Sequence, residues 1–132
     1  MQLALLYFST ALIFLGLDVI VLKHLMRPLF EAHIGTLLAD RLRPLPAVVF
    51  YLFYVAGILW FVSWPSLRQD APLQALVGGA FLGALAYGTY EFTNFATLRG
   101  WHWHMVAADV AWGSVLTAVS AWAGVSIVRS IG

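Results

Sequence analysis

Three acidic residues stand inside otherwise apolar segments of this chain: Asp18, Glu91 and Asp109. A charge in the middle of a bilayer costs about 2.5–3.5 kcal/mol even on the lenient insertion scale. Such residues therefore normally face the protein interior, where they bind cations, carry protons or act as an acid and a base. Two of the three lie in segment 87–113, which also holds most of the chain's other unusual polar groups.

The candidate ligand-binding residues are these acids and polar or aromatic neighbours from that segment: Asp18, Tyr87, Glu91, Thr93, Asn94, Thr97, Arg99 and Asp109. Glu91, His104 and Asp109 are also candidate metal ligands, because imidazole and carboxylate together suit a transition metal. On a helix His102 and His104 would point to nearly opposite faces, so joint metal binding by these two requires an extended turn. We interpret His24 and His33 as surface residues. The sequence assigns no catalytic residue and no cofactor.

Composition places the chain in a membrane. It is 62% hydrophobic and 10% charged, with a mean hydropathy of +0.88, which is far outside the range of soluble domains. The net charge of +1 argues against a nucleic-acid partner, since phosphate binding needs a concentrated basic face. Cysteine is absent, which excludes disulfides and thiolate chemistry.

Four apolar segments are long enough to cross a bilayer, at about residues 3–22, 46–64, 72–98 and 105–128. Between the first two, residues 28–42 have a helical apolar period with polar residues opposite, which predicts an amphipathic helix on the membrane surface. The alternative is a segment that folds onto the bundle. The predicted fold is thus a single-domain all-α integral membrane protein, a four-transmembrane-helix bundle with an amphipathic surface helix between helices 1 and 2.

The distribution of basic residues orients this bundle. Five lie on one side of the predicted membrane and two on the other: Lys23, Arg27, Arg41, Arg43 and Arg99 against Arg68 and Arg129. The positive-inside rule then places both termini in the periplasm. With about 1.5 Å rise per residue, Asp18 and Asp109 lie roughly 7 Å inside the cytoplasmic boundary and Glu91 roughly 12 Å inside. We expect the three carboxyls to meet in one buried layer.

Small residues predict which helix faces meet. In the third span Gly79, Gly83, Tyr87 and Glu91 recur every four residues, and the fourth span has a matching stripe from Asp109 through Gly113, Thr117 and Ala121. Small residues at this spacing let two membrane helices approach closely. Each stripe also carries the only acidic residue of its helix, so we expect the two faces to form a polar contact.

The stretch YGTYEFTNFATLRGW, followed by DVAWG, resembles a bacterial family of predicted inner-membrane proteins known as domain-of-unknown-function family 2177. The resemblance extends over the whole chain, including Asp18 and the segments RPLFEAHIGTLLAD and FYLFYVAG. Members of that family usually have aspartate at the position of Glu91 and proline at that of His102. The resemblance implies the fold, a bacterial inner membrane and importance for the polar residues of the motif, but no activity.

Three functions remain open from the sequence. A membrane binding or transport module, acting as a homo-oligomer, would hold a cation, protons or a cationic amphiphile at the carboxyls. A membrane enzyme acting on lipid would use two close carboxyls, one of them protonated near neutral pH. A structural subunit of a membrane complex would pair its acids with Lys23, Arg99 or tyrosines, and an outward-facing Gly79–Gly83 surface would favour this alternative. The bilayer is the only partner common to all three.

Overall fold

A computed structural model of the protein describes residues 1–38 and 43–131, and these residues are almost entirely helical, without a strand among them. The described residues form six α-helices: α1 Gln2–Val21, α2 Arg27–Ile34, α3 Pro44–Ile58, α4 Trp64–Arg68, α5 Pro72–Thr97 and α6 Trp103–Ile131. The all-α prediction is therefore confirmed. Asp40 and Arg41, which belong to the predicted surface helix, lie outside the described residues.

Two junctions between helices are π-helical turns, and each ends two residues before a proline. Leu22–Met26 joins α1 to α2 ahead of Pro28, and Leu59–Ser63 joins α3 to α4 ahead of Pro65. Because proline has no N–H for the carbonyl four residues earlier, a wider turn lets the chain stay helical without that bond. The result is two continuous helical stretches, of 36 residues over Gln2–Leu37 and 25 residues over Pro44–Arg68.

The helix α2 consequently continues the first membrane helix and is not set apart from it. It ends at Ile34, well before residue 42, and a short 3-10 turn follows. Arg27 and Glu31 are exposed and form an ion pair of 2.7 Å, whereas Ile34 is buried against Trp101 and Met105. The amphipathic pattern is thus used for a contact with the start of α6, and its placement on a membrane surface stays a prediction.

The most extensive contact between helices is that of α5 with α6. A Cβ atom added at Gly79 or Gly83 would overlap the backbone of α6, and at Gly83 the overlapped atoms belong to Gly113 and Ser114. The Ser114 hydroxyl donates a hydrogen bond of 2.8 Å to the carbonyl of Ala80 across the contact. The two small-residue stripes therefore meet as the sequence indicates.

α1 packs on α6 through a second close approach, in which Gly124 lies against the side chains of Thr10 and Leu6. α3 covers the remaining side, where the Tyr7 hydroxyl donates to the carbonyl of Leu52 at 2.9 Å. The buried apolar core joins these helices around the following residues: Leu6, Phe14, Val55, Ile58, Leu59, Val62, Ala75, Leu116, Ala121, Val125 and Val128.

Large apolar side chains cover the outside of the bundle. Phe8, Phe53 and Phe81, for example, are 64%, 75% and 68% exposed. Three helical stretches are long and apolar enough to cross a membrane: Gln2–Leu37, Pro44–Arg68 and Trp103–Ile131. α5 has 26 residues, but its glycines and polar side chains make it less apolar than the other three. An exterior of this kind suits lipid rather than water.

The long helices run alternately up and down. At one end Gln2, Asp70 and Arg129 line an open cavity of about 500 Å³, and the Arg129 guanidinium donates to Asp70 at 2.5 Å. At the other end the turn between α5 and α6 lies against α2, where Gly100 approaches the carbonyl of His33. The N-terminus, the α4–α5 loop and the end of α6 therefore share one end of the molecule.

Candidate functional site

Asp18 lies on the buried side of α1, one helical repeat after Phe14, and is 6% exposed. Its Oδ2 accepts a hydrogen bond of 2.7 Å from the hydroxyl of Tyr51 in α3. Its Oδ1 accepts one of 3.2 Å from the indole Nε1–H of Trp112 in α6. Three helices thus fix this carboxyl through two neutral donors.

Two further tyrosines, Tyr54 and Tyr87, pack together against α6. The ring of Tyr87 rests directly on Gly113, where a Cβ atom would overlap it. Tyr54 contacts Tyr87 edge-on, with ring centroids 6.2 Å apart, and its hydroxyl forms a hydrogen bond of 2.8 Å with Thr117. Glycine at position 113 therefore makes room for the ring of Tyr87, on which Tyr54 packs.

Glu91 is completely buried in the last turns of α5. Its Oε1 accepts a hydrogen bond of 2.9 Å from the indole Nε1–H of Trp101, whereas its Oε2 has no hydrogen-bond partner among the described residues. Trp101 is held edge-on by Phe30 and Tyr90. Leaving a buried polar atom unpaired costs about 1–3 kcal/mol, and more if it is charged. The Glu91 Oε2 atom therefore needs either a proton, which the neighbouring Asp109 carboxyl can share, or a cation.

Asp109 completes a group that we call the carboxyl cluster: Asp18, Glu91 and Asp109. The Asp109 side chain is partly buried, and its carboxyl lies close enough to that of Glu91 for direct interaction. It is also within electrostatic range of Asp18. The structure thus brings the three carboxyls of α1, α5 and α6 into one region.

Three of the other candidate residues are exposed and so lie apart from the buried carboxyls. Thr93, Thr97 and Arg99 are exposed, and the Thr97 hydroxyl donates to the carbonyl of Thr93 at 2.8 Å. Asn94 is partly buried, and its backbone carbonyl accepts the N–H of Leu98. Thr93 and Thr97 follow Glu91 by two and six residues, which places them on the other side of a helix with 3.6 residues per turn. Proximity in sequence to Glu91 was therefore a poor guide to their position.

The two indole donors, Trp101 and Trp112, were not among the candidate residues. The available signal was their chemistry: a buried tryptophan usually finds an acceptor for its N–H. Trp112 follows Asp109 by three residues, and Trp101 sits in the turn after Glu91. Both tryptophans could have been proposed as partners for the acids. The sequence does not indicate which acid each of them would bind.

Three of the histidines meet where α2 reaches the α5–α6 turn. The imidazole of His102 stacks on those of His33 and His104, with ring centroids 4.5 Å apart in each pair. His102 precedes α6, so the two residues do not both belong to the helix, and their imidazoles lie side by side. Desolvation lowers the pKa of His102 below its ordinary value of 6.5, and the neighbouring His104 and His33 lower the pKa further. His33, predicted to be a surface residue, is partly buried in this stack.

Comparison with curated proteins and with solved structures found no match. The model of a family described as "Predicted membrane protein (DUF2177)" matches residues 3–126. That range includes the whole carboxyl cluster, both indole donors and most of every long helix. The apolar exterior and the long helices agree with the description. The chain therefore belongs to DUF2177, a family of predicted membrane proteins of unknown function.

Proposed function

We propose that this protein is a membrane-embedded binding protein that takes up a small cation or a proton at the carboxyl cluster. We further propose that the protein forms a homo-oligomer, which translocates the bound cation or proton across the membrane. The observation that supports this most directly is Glu91, completely buried next to Asp109 with its Oε2 unpaired. Buried carboxyls that have no cationic partner carry an uncompensated negative charge when ionised. Binding a cation or a proton removes that cost.

The Tyr51 bond to Asp18 fits both a binding site and a structural role, so the support for a bound cation comes from where the ion pairs lie. Among the described residues, the ion pairs lie at exposed ends of helices: Arg27–Glu31 and Arg129–Asp70. Within residues 1–38 and 43–131, Asp18 is held by a hydroxyl and an indole N–H, not by a basic side chain such as Lys23. Neutral donors fix the carboxyl in position and leave its charge for a ligand.

Burial argues for a small ligand. Asp18 is 6% exposed and Glu91 is 0% exposed, so neither carboxyl faces the lipid as a lipid-modifying enzyme or an amphiphile-binding site would need. An outward-facing Gly79–Gly83 surface would have favoured the structural-subunit alternative, but this surface lies against α6. A proton or a dehydrated cation needs no wide entrance and fits the cluster best.

We place the protein in a bacterial inner membrane with four spans, α5 included, and with both termini in the periplasm. The first helical stretch has 36 residues and is about 54 Å long, whereas the hydrocarbon core is about 30 Å thick. Its excess length, α2, then projects on the side of Lys23 and Arg99, which is the cytoplasmic side by the positive-inside rule. Reporter fusions after Ile131 and in the Arg99–Gly100 turn should report opposite sides.

The experiment uses protein purified in detergent and compares wild type with Glu91→Gln, Asp109→Asn and the control Glu31→Gln. Glu31 is exposed and lies outside the cluster. Thermal unfolding with Li⁺, Na⁺, K⁺ or guanidinium added singly should show stabilisation by one cation in wild type and in Glu31→Gln. The two cluster variants should need at least about tenfold more of that cation for the same stabilisation, because they lose a charged ligand.

A proton as the ligand is tested in vesicles that contain the reconstituted protein and a pH-sensitive dye. Wild type should then dissipate an imposed pH gradient, and Glu91→Gln should not. If neither cations nor protons distinguish the cluster variants from Glu31→Gln, and the cluster variants only melt earlier, the carboxyls have a structural role and the proposal is wrong.

A further inference from the structure

We infer that His33, His102 and His104 form a transition-metal site at the end of the bundle, separate from the carboxyl cluster. One ring nitrogen from each of the three histidines lies within 4.8 Å of the other two. A set of three imidazole nitrogens suits Zn²⁺, Cu²⁺ or Ni²⁺, whereas Mg²⁺ and Ca²⁺ prefer oxygen ligands. Three protein ligands also leave a fourth position for water.

The backbone near these histidines is held in place by neighbouring residues and not by the imidazoles themselves. Ile34, next to His33, is buried against Trp101, and Trp101 precedes His102. Gly100 has a φ of 80°, a conformation that suits glycine, and an added Cβ there would lie 3.3 Å from the carbonyl of His33. Apolar packing and a tight turn therefore bring α2 and the start of α6 together, so the imidazoles converge without a metal.

Binding requires the rings to leave their stack. The planes of His33 and His102 are inclined by only 11°, and an ion must lie near the plane of each ring that binds it. Zn–N bonds of about 2.0–2.1 Å place two tetrahedral nitrogen ligands about 3.3 Å apart. The nitrogens, now within 4.8 Å, must therefore approach by up to about 1.5 Å, which rotation about side-chain torsions can supply.

The hydrogen bond within the stack does not prevent this rearrangement. The backbone N–H of His104 donates to Nδ1 of His102 at 3.1 Å. This N–H belongs to the first turn of α6, where no carbonyl within the helix can accept it. Water can therefore accept this N–H in place of the His102 imidazole. His102 can then offer Nδ1 to the ion. His104 is exposed, so both the ion and a water ligand can enter from solvent.

Helix dipoles largely cancel at this position. His33 lies in the last turn of α2, where the negative end of the helix favours a cation. His102 and His104 lie at the start of α6, whose positive end disfavours one. The affinity must therefore come from the three nitrogens. A bound ion would link α2 to the α5–α6 turn and would stabilise the folded state by mass action.

The test uses full-length protein purified in detergent through an affinity tag that lacks histidine and then treated with a chelator. Calorimetric titration with Zn²⁺ should give one equivalent per chain, and Zn²⁺ should raise the Tm. His33→Gln and His104→Gln should each weaken Zn²⁺ binding at least about tenfold, since even loss of a group that only orients a ligand costs 10–100-fold. His24→Gln removes an exposed histidine outside the stack and should leave Zn²⁺ binding unchanged.

Glu91→Gln should also bind Zn²⁺ like wild type, which separates this site from the carboxyl cluster. Co²⁺ bound to wild type should give the visible absorption of a tetrahedral site with nitrogen ligands, a readout that does not depend on any variant folding. The inference is overturned if wild type binds no Zn²⁺ saturably or shows no such Co²⁺ spectrum. It is also overturned if folded His33→Gln binds as tightly as wild type, or if His24→Gln weakens binding equally.

Discussion

Replacing Gly83 by alanine should push α5 and α6 apart, because their contact has no room for a methyl group. The new Cβ would overlap the carbonyl of Gly113 and would lie 2.9 Å from the Cα of Ser114. Both are backbone atoms, which cannot rotate away as a side chain can. Carbon atoms in contact are normally about 3.5–4.0 Å apart, so the helices must separate locally by about 1 Å.

The magnitude follows from two opposing effects. Overpacking a close contact costs about 1–3 kcal/mol, and exchanging glycine for alanine inside a helix returns about 0.8–1 kcal/mol. We expect Gly83→Ala to lower the free energy of unfolding by about 1–2 kcal/mol, because displaced backbone places the cost in the upper part of its range. The variant should therefore melt at a lower temperature than wild type.

The same helix offers a matched control. A Cβ atom at Gly88 would meet only Phe92, at 3.8 Å, which is ordinary van der Waals contact. Gly88→Ala should thus be as stable as wild type or slightly more stable. Unfolding of both variants in one detergent, followed by circular dichroism, measures the difference. A Gly83→Ala protein that melts with or above Gly88→Ala would refute the close α5–α6 contact.

Two further predictions concern the α5–α6 turn. Trp101→Phe keeps the aromatic packing but removes the N–H donor to Glu91; it should cost about 1–3 kcal/mol of stability in a chemical unfolding titration. Trp103→Phe at a 57% exposed position should cost far less, and equal losses would contradict the indole–carboxyl bond. Gly100→Ala forces a side chain to adopt a φ of 80° and should cost about 1–2 kcal/mol. Gly35→Ala, with nothing within 4 Å of its added Cβ, should lower the Tm less, and the reverse order would contradict the turn conformation.

Periodic features of the sequence predicted the central contact well. Residues four apart are neighbours on a helix surface, so Gly79, Gly83 and Glu91 follow one slowly turning stripe of α5, and Asp109 and Gly113 share one side of α6. Burying acids in a membrane protein requires that these sides face inward. Depth counted along each helix then indicates that the carboxyls of separate helices meet.

Features that depend on docking between distant segments could not be predicted in this way. The amphipathic pattern predicts a separate helix from residue 28, but a π-helical turn accommodates Pro28 and the first helix continues. That continuation carries His33 to the α5–α6 turn, where packing around Ile34 and the φ of Gly100 determine its neighbours. Neither effect leaves a periodic signal, so the contact of His33 with His102 was missed.

The α5–α6 turn belongs to both sites, and this fact decides which variants can separate their functions. Trp101 donates its indole N–H to Glu91 and is the covalent neighbour of His102. A substitution that moves the turn, such as Gly100→Ala, therefore disturbs the carboxyl cluster and the histidines together. Glu91→Gln and His33→Gln act from α5 and α2 and leave the residues of the turn in place. Glu91→Gln and His33→Gln, unlike Gly100→Ala, can therefore show whether cations at the carboxyls and a metal at the imidazoles bind independently.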